Sequence, residues 1–326
     1  MAVAAKELGA LPVFTGIAGG ELTALAAELT PLRAPQGEVL MRQGEKALSF
    51  LILASGEVEV RHTDDDGRTL VAFLSGGLLG EIALLRHATR TATVIATDDV
   101  DGYVGYEPAF QRLLEIPGIA TQLVRTARQR LAAFVTPVPI EARDGTELML
   151  RPALPGDTQR VAHGRVMFSP ETLYRRFLSV RTPTETVLTY LFEVDYVDHF
   201  VWMVTDGDDG PVIADGRFVR DPNDPTVAEI AFTVADAYQG RGIGTLLFSA
   251  LAVAARVDGV ERFQARVLSD NLPARALLDR LDAQWIREEP GVVAATIDVP
   301  EPNKLPKIKH LKDIEDVARQ VIRAFE

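Results

Sequence analysis

The sequence predicts two domains, an N-terminal antiparallel β-roll with flanking helices and a C-terminal α/β domain with a mixed central sheet. The chain has 326 residues, which is more than one ordinary core accommodates. Up to about Ser75, short apolar segments are separated by glycine and polar turns, a spacing typical of short antiparallel strands. From Leu148 onward, strand-like and helix-like stretches alternate, as they do in α/β domains.

The first domain is expected over residues 1–135, followed by a linker over residues 136–146. Apolar residues at helical spacing predict one helix from Pro108 to Phe134. The prolines of Thr136–Ile140 end this helix and extend the chain. The predicted strands of this domain are Glu38–Met41, Leu48–Ala54, Val58–Arg61 and Leu70–Phe73.

The second domain is expected over residues 147–300, with a helical tail over residues 301–326. Helices are also expected between Gly156 and Ser179. The predicted strands are Leu148–Arg151, Phe200–Thr205, Val212–Val219, Val227–Val234, Gln264–Leu268 and Val292–Asp298. The other predicted helices are Arg241–Arg256, Pro273–Leu281 and Leu311–Phe325.

The composition excludes several classes of function. The net charge of −12 disfavours a nucleic-acid partner, because the densest basic stretch, Lys304–Lys312, is short and precedes an acidic helix. The absence of cysteine excludes disulfides, thiolate zinc sites and a cysteine nucleophile. No apolar run approaches the roughly 18–20 residues of a membrane span, and the N-terminus lacks the pattern of a secretion signal. We therefore expect a cytoplasmic protein without a membrane partner.

The segment Gly80–Val94 has the groups needed to hold a cyclic phosphodiester. A helix that begins at Glu81 would direct backbone amides at the phosphate, and a preceding glycine would allow close approach. Glu81 could accept a hydrogen bond from a ribose 2′-hydroxyl, Arg90 would supply the cation, and Thr91 a hydroxyl donor. The alternative is a surface Glu–Arg ion pair without a ligand. The candidate ligand-binding residues are Gly80, Glu81, Ile82, Ala83, Arg90 and Thr91.

This segment resembles the phosphate-binding cassette of catabolite-activator-type cyclic-nucleotide-binding domains. The Gly-Glu pair, the arginine nine residues after that glutamate and the following Thr-Ala stand in register, and the resemblance covers about residues 12–135. It implies cAMP as the ligand, with cGMP less favoured. Many relatives of this domain carry a basic helix-turn-helix, but here the linker leads to an α/β domain, so we reject a DNA-binding role.

A second glycine-rich segment, Gln239–Gly244, joins a predicted strand to an apolar-striped helix. Glycines at 240, 242 and 244 expose consecutive N–H groups at a helix start, which is a cradle for a pyrophosphate. The spacing is neither that of a nucleotide P-loop nor that of a Rossmann fingerprint. An ordinary helix-capping turn is the alternative interpretation.

Gln239–Gly244 resembles the Gln/Arg-x-x-Gly-x-Gly/Ala signature of the GNAT superfamily of N-acetyltransferases. Leu148–Asp157 looks like the first strand and helix entry of that fold, and Val267–Asn271 like its fifth strand, so the resemblance covers about residues 146–300. It implies acetyl-CoA as the co-substrate. The residues it assigns to acetyl-CoA binding are Phe232, Thr233, Val234, Gln239, Gly240, Arg241, Gly242, Ile243, Gly244, Thr245, Asn271 and Ala274.

Glu229 is the candidate catalytic base. Acetyl transfer to an amine requires that the amine lose a proton, and Glu229 is the carboxylate in an otherwise apolar strand that leads into the glycine-rich loop. Such surroundings would raise the pKa of a carboxyl group. The alternative places Glu229 at the solvent end of the strand in an ion pair. The backbone N–H of Val234 is a candidate oxyanion donor.

The sequence pattern does not assign a general acid, a catalytic histidine or a metal site. Many GNAT enzymes have a tyrosine after the cofactor-contacting asparagine, but Pro273–Leu281 has none, so the general acid is unassigned. His163 and His199 are further titratable candidates, each more plausible as a structural residue. No spacing of histidines and carboxylates indicates a metal.

The whole architecture is similar to the cAMP-responsive protein lysine acetyltransferases of mycobacteria, as seen in Val194–Phe200 and Ala228–Gly244. This resemblance implies protein substrates, notably acyl-CoA synthetases and universal stress proteins. A switch is expected, in which cAMP opens a cleft occluded by Arg151–Arg181 or by Lys304–Glu326. Two alternatives stay open, a non-catalytic sensor of cAMP and acyl-CoA and an acetyltransferase of small-molecule amines.

Overall fold

A computed structural model describes residues 5–64, 67–154, 157, 168–179, 184, 191, 194–196, 198–208, 210–306 and 308–325. Apart from the last two residues, the chain divides into two compact units, Met1–Ala127 and Arg128–Ala324. The helix Ile119–Ala133 continues across this division. The two-domain fold class predicted from the sequence is confirmed.

The first unit is an antiparallel β-roll flanked by helices. Its helices are α1 (Ala5–Gly9), α2 (Gly19–Ala27), α3 (Glu81–Leu85), α4 (Glu107–Glu115) and α5 (Ile119–Ala133), with a 3₁₀ turn at Pro12–Phe14. Its strands are β1 (Leu29–Ala34), β2 (Val39–Met41), β3 (Ser49–Thr63), β4 (Thr69–Leu79), β5 (Thr93–Ala96) and β6 (Val100–Tyr106). The strands lie in the order β1-β6-β3-β5-β2, and β4 pairs with β3.

Two predicted boundaries in this unit are wrong. The predicted strands Leu48–Ala54 and Val58–Arg61 are one continuous strand, β3, with a bulge between them, because Gly56 (φ 86°) lets the strand bend without leaving the sheet. A Cβ at Gly56 would stand 2.4 Å from the carbonyl oxygen of Asp99. The single helix predicted from Pro108 to Phe134 is instead two helices, since Pro117 and Gly118 (φ 82°) separate α4 from α5.

The second unit contains a mixed sheet. Its strands are β7 (Val138–Glu141), β8 (Glu147–Pro152), β9 (His199–Thr205), β10 (Val212–Arg220), β11 (Val227–Val234), β12 (Arg262–Leu268), β13 (Gln284–Glu289) and β14 (Val292–Asp298). They lie in the order β13-β14-β12-β11-β10-β9-β8-β7. The pairs are antiparallel except for β11 with β12, which are parallel. Its helices are α6 (Pro170–Phe177), α7 (Ile243–Val257), α8 (Leu272–Asp279) and α9 (Leu311–Ile322), with 3₁₀ turns at Asp236–Tyr238 and Pro302–Lys304.

The core of the second unit forms around α7, whose residues are buried on almost every side. An apolar helix of this kind is stable only where it is covered on several faces. Trp202 of β9 is fully buried, and its indole N–H donates to the Ala250 carbonyl of α7 at 3.0 Å. Phe200 stacks on Phe218 across β9 and β10, with ring centroids 5.6 Å apart. This core holds α7 against the sheet.

Two parts of the second unit differ from the prediction, and the predicted helical tail packs on the core. The segment expected as a linker supplies β7, an edge strand on β8, where Pro139 is tolerated because an edge strand leaves one side unpaired. The strand β13, which was not predicted, pairs with β14 and is largely exposed, so it lacks a clear apolar pattern. The predicted tail contains α9, which packs on α7 through buried Ile314, Ala318 and Val321.

Neither a membrane-crossing helix nor a metal-binding cluster occurs within the described ranges. None of the helices there has both the length and the apolar character that a membrane crossing requires. In the same residues, no three histidine, aspartate or glutamate side chains gather in a group that could hold a metal ion.

Candidate active site and nucleotide site

The central feature of the second unit is a gap between β11 and β12. The two strands pair in parallel over Val227–Glu229. Beyond Glu229, β11 continues to Val234 along β10, while β12 continues to Leu268 along β14. The gap opens into a cavity of about 670 Å³. Both strands, the loop after β11 and helices α6 and α8 line this cavity.

The hydrogen bonds between β11 and β10 determine the directions of the backbone N–H and C=O groups of β11 at the gap. Ala235 N–H donates to Ile213 O at 2.8 Å, so odd-numbered residues of this stretch bond to β10. Successive strand residues direct their backbone groups to opposite sides, and Val234 therefore directs its N–H and C=O away from β10. Its carbonyl accepts a hydrogen bond from Gln239 Nε2 at 3.1 Å. The Val234 N–H thus faces the side where β12 has diverged.

Glu229 lies on the cavity wall at the last paired position of β11 and β12. Its side chain is exposed rather than buried among apolar groups, so the environment expected from the strand sequence is not found. Arg176 of α6 interacts electrostatically with Glu229. Burial, reinforced by the cation of Arg217, lowers the pKa of Arg176 to about 10, and the carboxylates of Asp215 and Glu229 oppose this shift. Arg176 therefore stays protonated near neutral pH beside the Glu229 carboxylate.

The glycine-rich loop reaches the cavity as a helix N-terminus. The helix α7 begins at Ile243, two residues later than predicted, because Gly242 (φ 86°) is its N-cap in the left-handed region. The first N–H groups of a helix have no partner within the helix. In α7 no side chain caps this end either. A Cβ at Gly244 would meet the protein at no closer than 4.0 Å, at Leu277 Cδ2. The space in front of Gly244 therefore belongs to the cavity.

Arg241 does not line the cavity, in contrast to its predicted role. Its guanidinium donates to the carbonyl of Ala237 at 2.7 Å and pairs with Asp144 at 3.1 Å. It also lies over the ring of Tyr238, 5.1 Å from the centroid. The spacing of the motif identifies Arg241 but does not reveal its direction, which contacts with the β7–β8 turn determine.

Arg143, rather than Arg241, places its side chain beside the glycine-rich loop at the cavity. It lies in the turn between β7 and β8 and lines the cavity. Its Cγ and Nε would each be 2.9 Å from a Cβ built on Gly242, so only glycine fits there without displacing it. No sequence pattern points to Arg143, because its segment, residues 136–146, has the composition of a linker.

The other residues predicted for the cofactor come together at this cavity. Asn271 caps α8 by accepting the Ala274 N–H at 3.3 Å, and both residues are at the wall. Tyr238 is also at the wall, but its hydroxyl donates to Asp206 at 2.6 Å, so the general acid stays unassigned. The predicted residues that line the cavity are Phe232, Thr233, Val234, Gln239, Gly240, Gly242, Ile243, Gly244, Thr245, Asn271 and Ala274.

The sequence prediction named none of the α6 residues that line this cavity. Thr172, Arg175, Arg176 and Phe177 line it, and Thr172 Oγ1 accepts a hydrogen bond from Gln239 Nε2 at 3.0 Å. Thus α6, within the first predicted occluding segment, borders the cavity. The described residues of the second one, 304–306 and 308–325, are not at its wall.

The two histidine candidates have different outcomes. His163 lies outside the described residues. His199 is buried on β9, and burial, together with the nearby Arg217 cation, lowers its pKa to about 4. Its imidazole is therefore neutral at physiological pH. His199 does not line the cavity.

The candidate nucleotide site of the first unit is built around α3. Gly80 (φ 83°) is the N-cap, and the helix begins at Glu81 as predicted. Arg90 is buried, and its guanidinium donates to Gly80 O at 3.0 Å and to Ser49 O at 2.6 Å. Burial lowers the pKa of Arg90, and the carboxylate of Glu81 opposes this shift. The arginine and the start of α3 thus form one cluster.

The remaining candidates lie in the same cluster. Glu81, Ile82 and Ala83 are buried, and Thr91 follows Arg90 directly, half-buried. A Cβ on Gly80 would lie 2.6 Å from Arg90 Nη1 and 2.7 Å from Met41 Cε. Glycine at this position is therefore needed both for the backbone conformation and for the approach of the arginine.

Comparisons with known proteins agree with both halves. A family model described as the cyclic nucleotide-binding domain matches residues 31–116, and one described as the acetyltransferase (GNAT) domain matches residues 147–284. Acetyltransferase Pat of Mycolicibacterium smegmatis is 54% identical over 324 residues, which are 99% of this chain and 97% of the relative. A cAMP-dependent protein kinase regulatory subunit of Mycosarcoma maydis is 38% identical over 115 residues, covering 33% of this chain and 22% of that protein.

A solved structure extends the similarity to the whole chain. The cAMP-binding acyltransferase from Mycobacterium smegmatis has a TM-score of 0.53 and 50% sequence identity, and the match covers 99% of this chain and 97% of that chain. The chain therefore belongs to the acetyltransferase family represented by Acetyltransferase Pat, in which a cyclic-nucleotide-binding domain precedes a GNAT domain, and it is an acyltransferase.

Proposed function

We propose that this protein is a cAMP-regulated protein lysine N-acetyltransferase that uses acetyl-CoA as acetyl donor and Glu229 as general base. One observation carries the proposal. Glu229 lies at the start of the gap between β11 and β12, and the glycine-rich N-terminus of α7 follows at the other end of β11. A carboxylate and an anion-binding helix start therefore border the same cavity.

Acetyl-CoA would supply a thioester carbonyl together with several phosphate groups. The N–H groups at the start of α7 are suited to the diphosphate, because they lack partners within the helix. Glu229 would take a proton from the acceptor ammonium, directly or through a water. The neutral amine would then attack the carbonyl carbon, and the Val234 N–H would stabilise the negative charge that develops on the oxygen. Collapse of this tetrahedral adduct breaks the C–S bond, and the released thiolate takes up the proton that the acylated nitrogen loses.

A protein acceptor fits the exposure of the base. Because the Glu229 side chain is exposed at the cavity wall, a lysine that projects from a folded partner could reach it. The family resemblance extends this proposal to acyl-CoA synthetases and universal stress proteins as acceptors. In this proposal the enzyme is cytoplasmic and has neither nucleic-acid nor membrane partners.

The regulatory part of the proposal assigns cAMP to the first domain. The start of α3 with Arg90 offers a buried cation and backbone amides to a phosphodiester, and Glu81 offers an acceptor for a ribose hydroxyl. Relatives with this two-domain organisation include a structure described as a cAMP-binding acyltransferase. Regulation requires that cAMP bind two states of the protein with different affinities.

The test is an incubation with labelled acetyl-CoA and a bacterial cytoplasmic protein extract, with and without saturating cAMP. We expect labelled protein bands whose intensity rises with cAMP. Label in small-molecule amines alone would indicate the small-molecule enzyme instead. Equal labelling with and without cAMP would contradict the regulatory part. Absence of any labelling, with acetyl-CoA still bound, would indicate a non-catalytic sensor.

The role of Glu229 is tested by Glu229→Gln. General-base catalysis contributes on the order of 10²–10⁴-fold, so we expect kcat to fall at least about 100-fold while the Kd for acetyl-CoA is retained. The control is Glu147→Gln, an exposed glutamate on β8 of the same sheet outside the cavity. An active Glu229→Gln enzyme would exclude this glutamate as the base.

A further inference from the structure

The turn between β7 and β8, residues 142–146, is hydrogen-bonded to the glycine-rich loop. Ala142 N–H donates to Thr146 O at 2.9 Å, which closes the turn. Asp144 Oδ1 accepts both the N–H and the hydroxyl of Thr146, at 3.1 and 2.7 Å. The Arg143 N–H then donates to the carbonyl of Arg241 at 2.9 Å. A backbone hydrogen bond therefore connects the turn to the loop.

With these contacts in place, Arg143 rather than Arg241 lies at the cavity wall. Asp144 pairs with Arg241 at 3.1 Å and holds that guanidinium outside the cavity wall. The Arg143 side chain instead lies against Gly242, the N-cap of α7, at the cavity wall. Asp144 thus acts as a positioning residue for the loop, while Arg143 places a cation where the helix N-terminus is already electropositive.

Two other arginines at the cavity wall are engaged in ion pairs. Arg266 donates to Glu288 and Glu289, both at 2.7 Å, and Arg175 pairs with Glu171 at 2.5 Å. In contrast, Arg143 makes no ion pair with any residue of the described ranges. A guanidinium without a carboxylate partner, beside free helix N–H groups, has the donor geometry that suits a phosphate group.

We propose that Arg143 is a phosphate-binding residue of the acetyl-CoA site, with its guanidinium bonded to a phosphate of the cofactor. This proposal rests on the proposed acetyl-CoA site and adds a residue outside the glycine-rich signature. Two phosphate sources are available in that cofactor, the diphosphate and the 3′-phosphate of the ribose. The position of Arg143 beside the first turn of α7 is compatible with either.

The test measures the binding of three ligands, CoA, 3′-dephospho-CoA and pantetheine, to the full-length protein. The variants are Arg143→Gln, Arg143→Lys and the control Arg287→Gln, an exposed arginine on β13 outside the cavity wall. We expect Arg143→Gln to weaken CoA about 10-fold or more, because a charge-assisted bond is lost. Arg143→Lys should lose less, and Arg287→Gln should bind CoA like the wild type.

The ligand series identifies the contact. Equal loss for CoA and dephospho-CoA indicates the diphosphate, whereas loss for CoA alone indicates the 3′-phosphate. Pantetheine, which has no phosphate, should bind the variant and the wild type equally. Unchanged CoA affinity in Arg143→Gln, or an equal loss with pantetheine, overturns the proposal, since the guanidinium would then be dispensable or would only shape the loop. A wild-type protein that binds no CoA refutes the cofactor site itself.

Discussion

Glu229 pairs with Gln264 at the last position where β11 and β12 run side by side. Beyond this position, β11 stays paired with β10 and β12 with β14, but the two strands no longer pair with each other. The Glu229 carboxylate therefore lies at the point where the sheet opens. The backbone direction of Val234 follows from the same ladder. The proposed base and the proposed oxyanion donor are thus positioned by a single strand, because β11 keeps its register with β10 while it leaves β12.

The conformation of Gly242 gives the first prediction. A side chain at φ 86° costs roughly 1–2 kcal/mol, and a Cβ there would also meet Arg143, so Gly242→Ala should lower the free energy of unfolding by at least about 1 kcal/mol. Gly244→Ala is the matched control, since Gly244 is helical with open space around it, and it should leave stability unchanged or raise it. Urea unfolding of both variants is the measurement. Equal stabilities would contradict the strain argument.

Arg90 gives the second prediction, which concerns the first domain. Removal of the buried cation by Arg90→Gln should weaken cAMP binding at least about 10-fold, because hydrogen bonds to a charged group contribute about 1.5–3 kcal/mol. The control is Arg86→Gln, on the exposed C-cap of α3. Calorimetric titration with cAMP provides the comparison. If Arg90→Gln and Arg86→Gln bind cAMP with the same affinity, Arg90 is not a ligand contact.

A buried ion pair in the second domain gives the third prediction. Arg151 donates to Asp157 through both terminal nitrogens, at 2.7 and 2.9 Å, and both side chains are almost fully buried. Asp157→Asn would leave the arginine cation buried without its partner, at a cost of about 3–5 kcal/mol. The control Glu301→Gln breaks the half-exposed pair with Arg256 and should cost less than about 1 kcal/mol. Chemical denaturation measures both, and a small effect of Asp157→Asn would refute the prediction.

The fourth prediction concerns the pH dependence of stability. Burial lowers the pKa of His199 from 6.5 to about 4, so the unfolded chain binds a proton at a higher pH than the folded protein. The histidine therefore costs no stability above about pH 6.5, and stability falls as the pH decreases toward 4. The loss from this group is at most about 3 kcal/mol.

The measurement is the midpoint of thermal unfolding for the second domain between pH 7 and pH 4.5. His199→Gln should fall less steeply with decreasing pH than the wild type, even if its stability at pH 7 is lower. His87→Gln, an exposed histidine of the first domain, is the control and should leave the slope unchanged. Parallel curves for His199→Gln and the wild type would rule out this contribution.

Local patterns predicted much of the fold. The strand β11, the start of α3 and the packed character of α7 follow from apolar periodicity and from glycine positions, which act over a few residues. The errors arose where a local pattern has two outcomes. Gly56 could form a turn or a bulge, and Pro139 could belong to a linker or to an edge strand. Only the neighbouring strands decide between such outcomes.

The sequence by itself determined that the chain has two domains, that each has a glycine-led helix start, and that Glu229 precedes the second one on the same strand. These features depend on residue type and spacing along one stretch of chain. The tertiary structure alone decided that Arg241 contacts Asp144 while Arg143 lines the cavity, and that Glu229 is exposed. Those outcomes depend on contacts between residues far apart in the sequence, which no local spacing encodes.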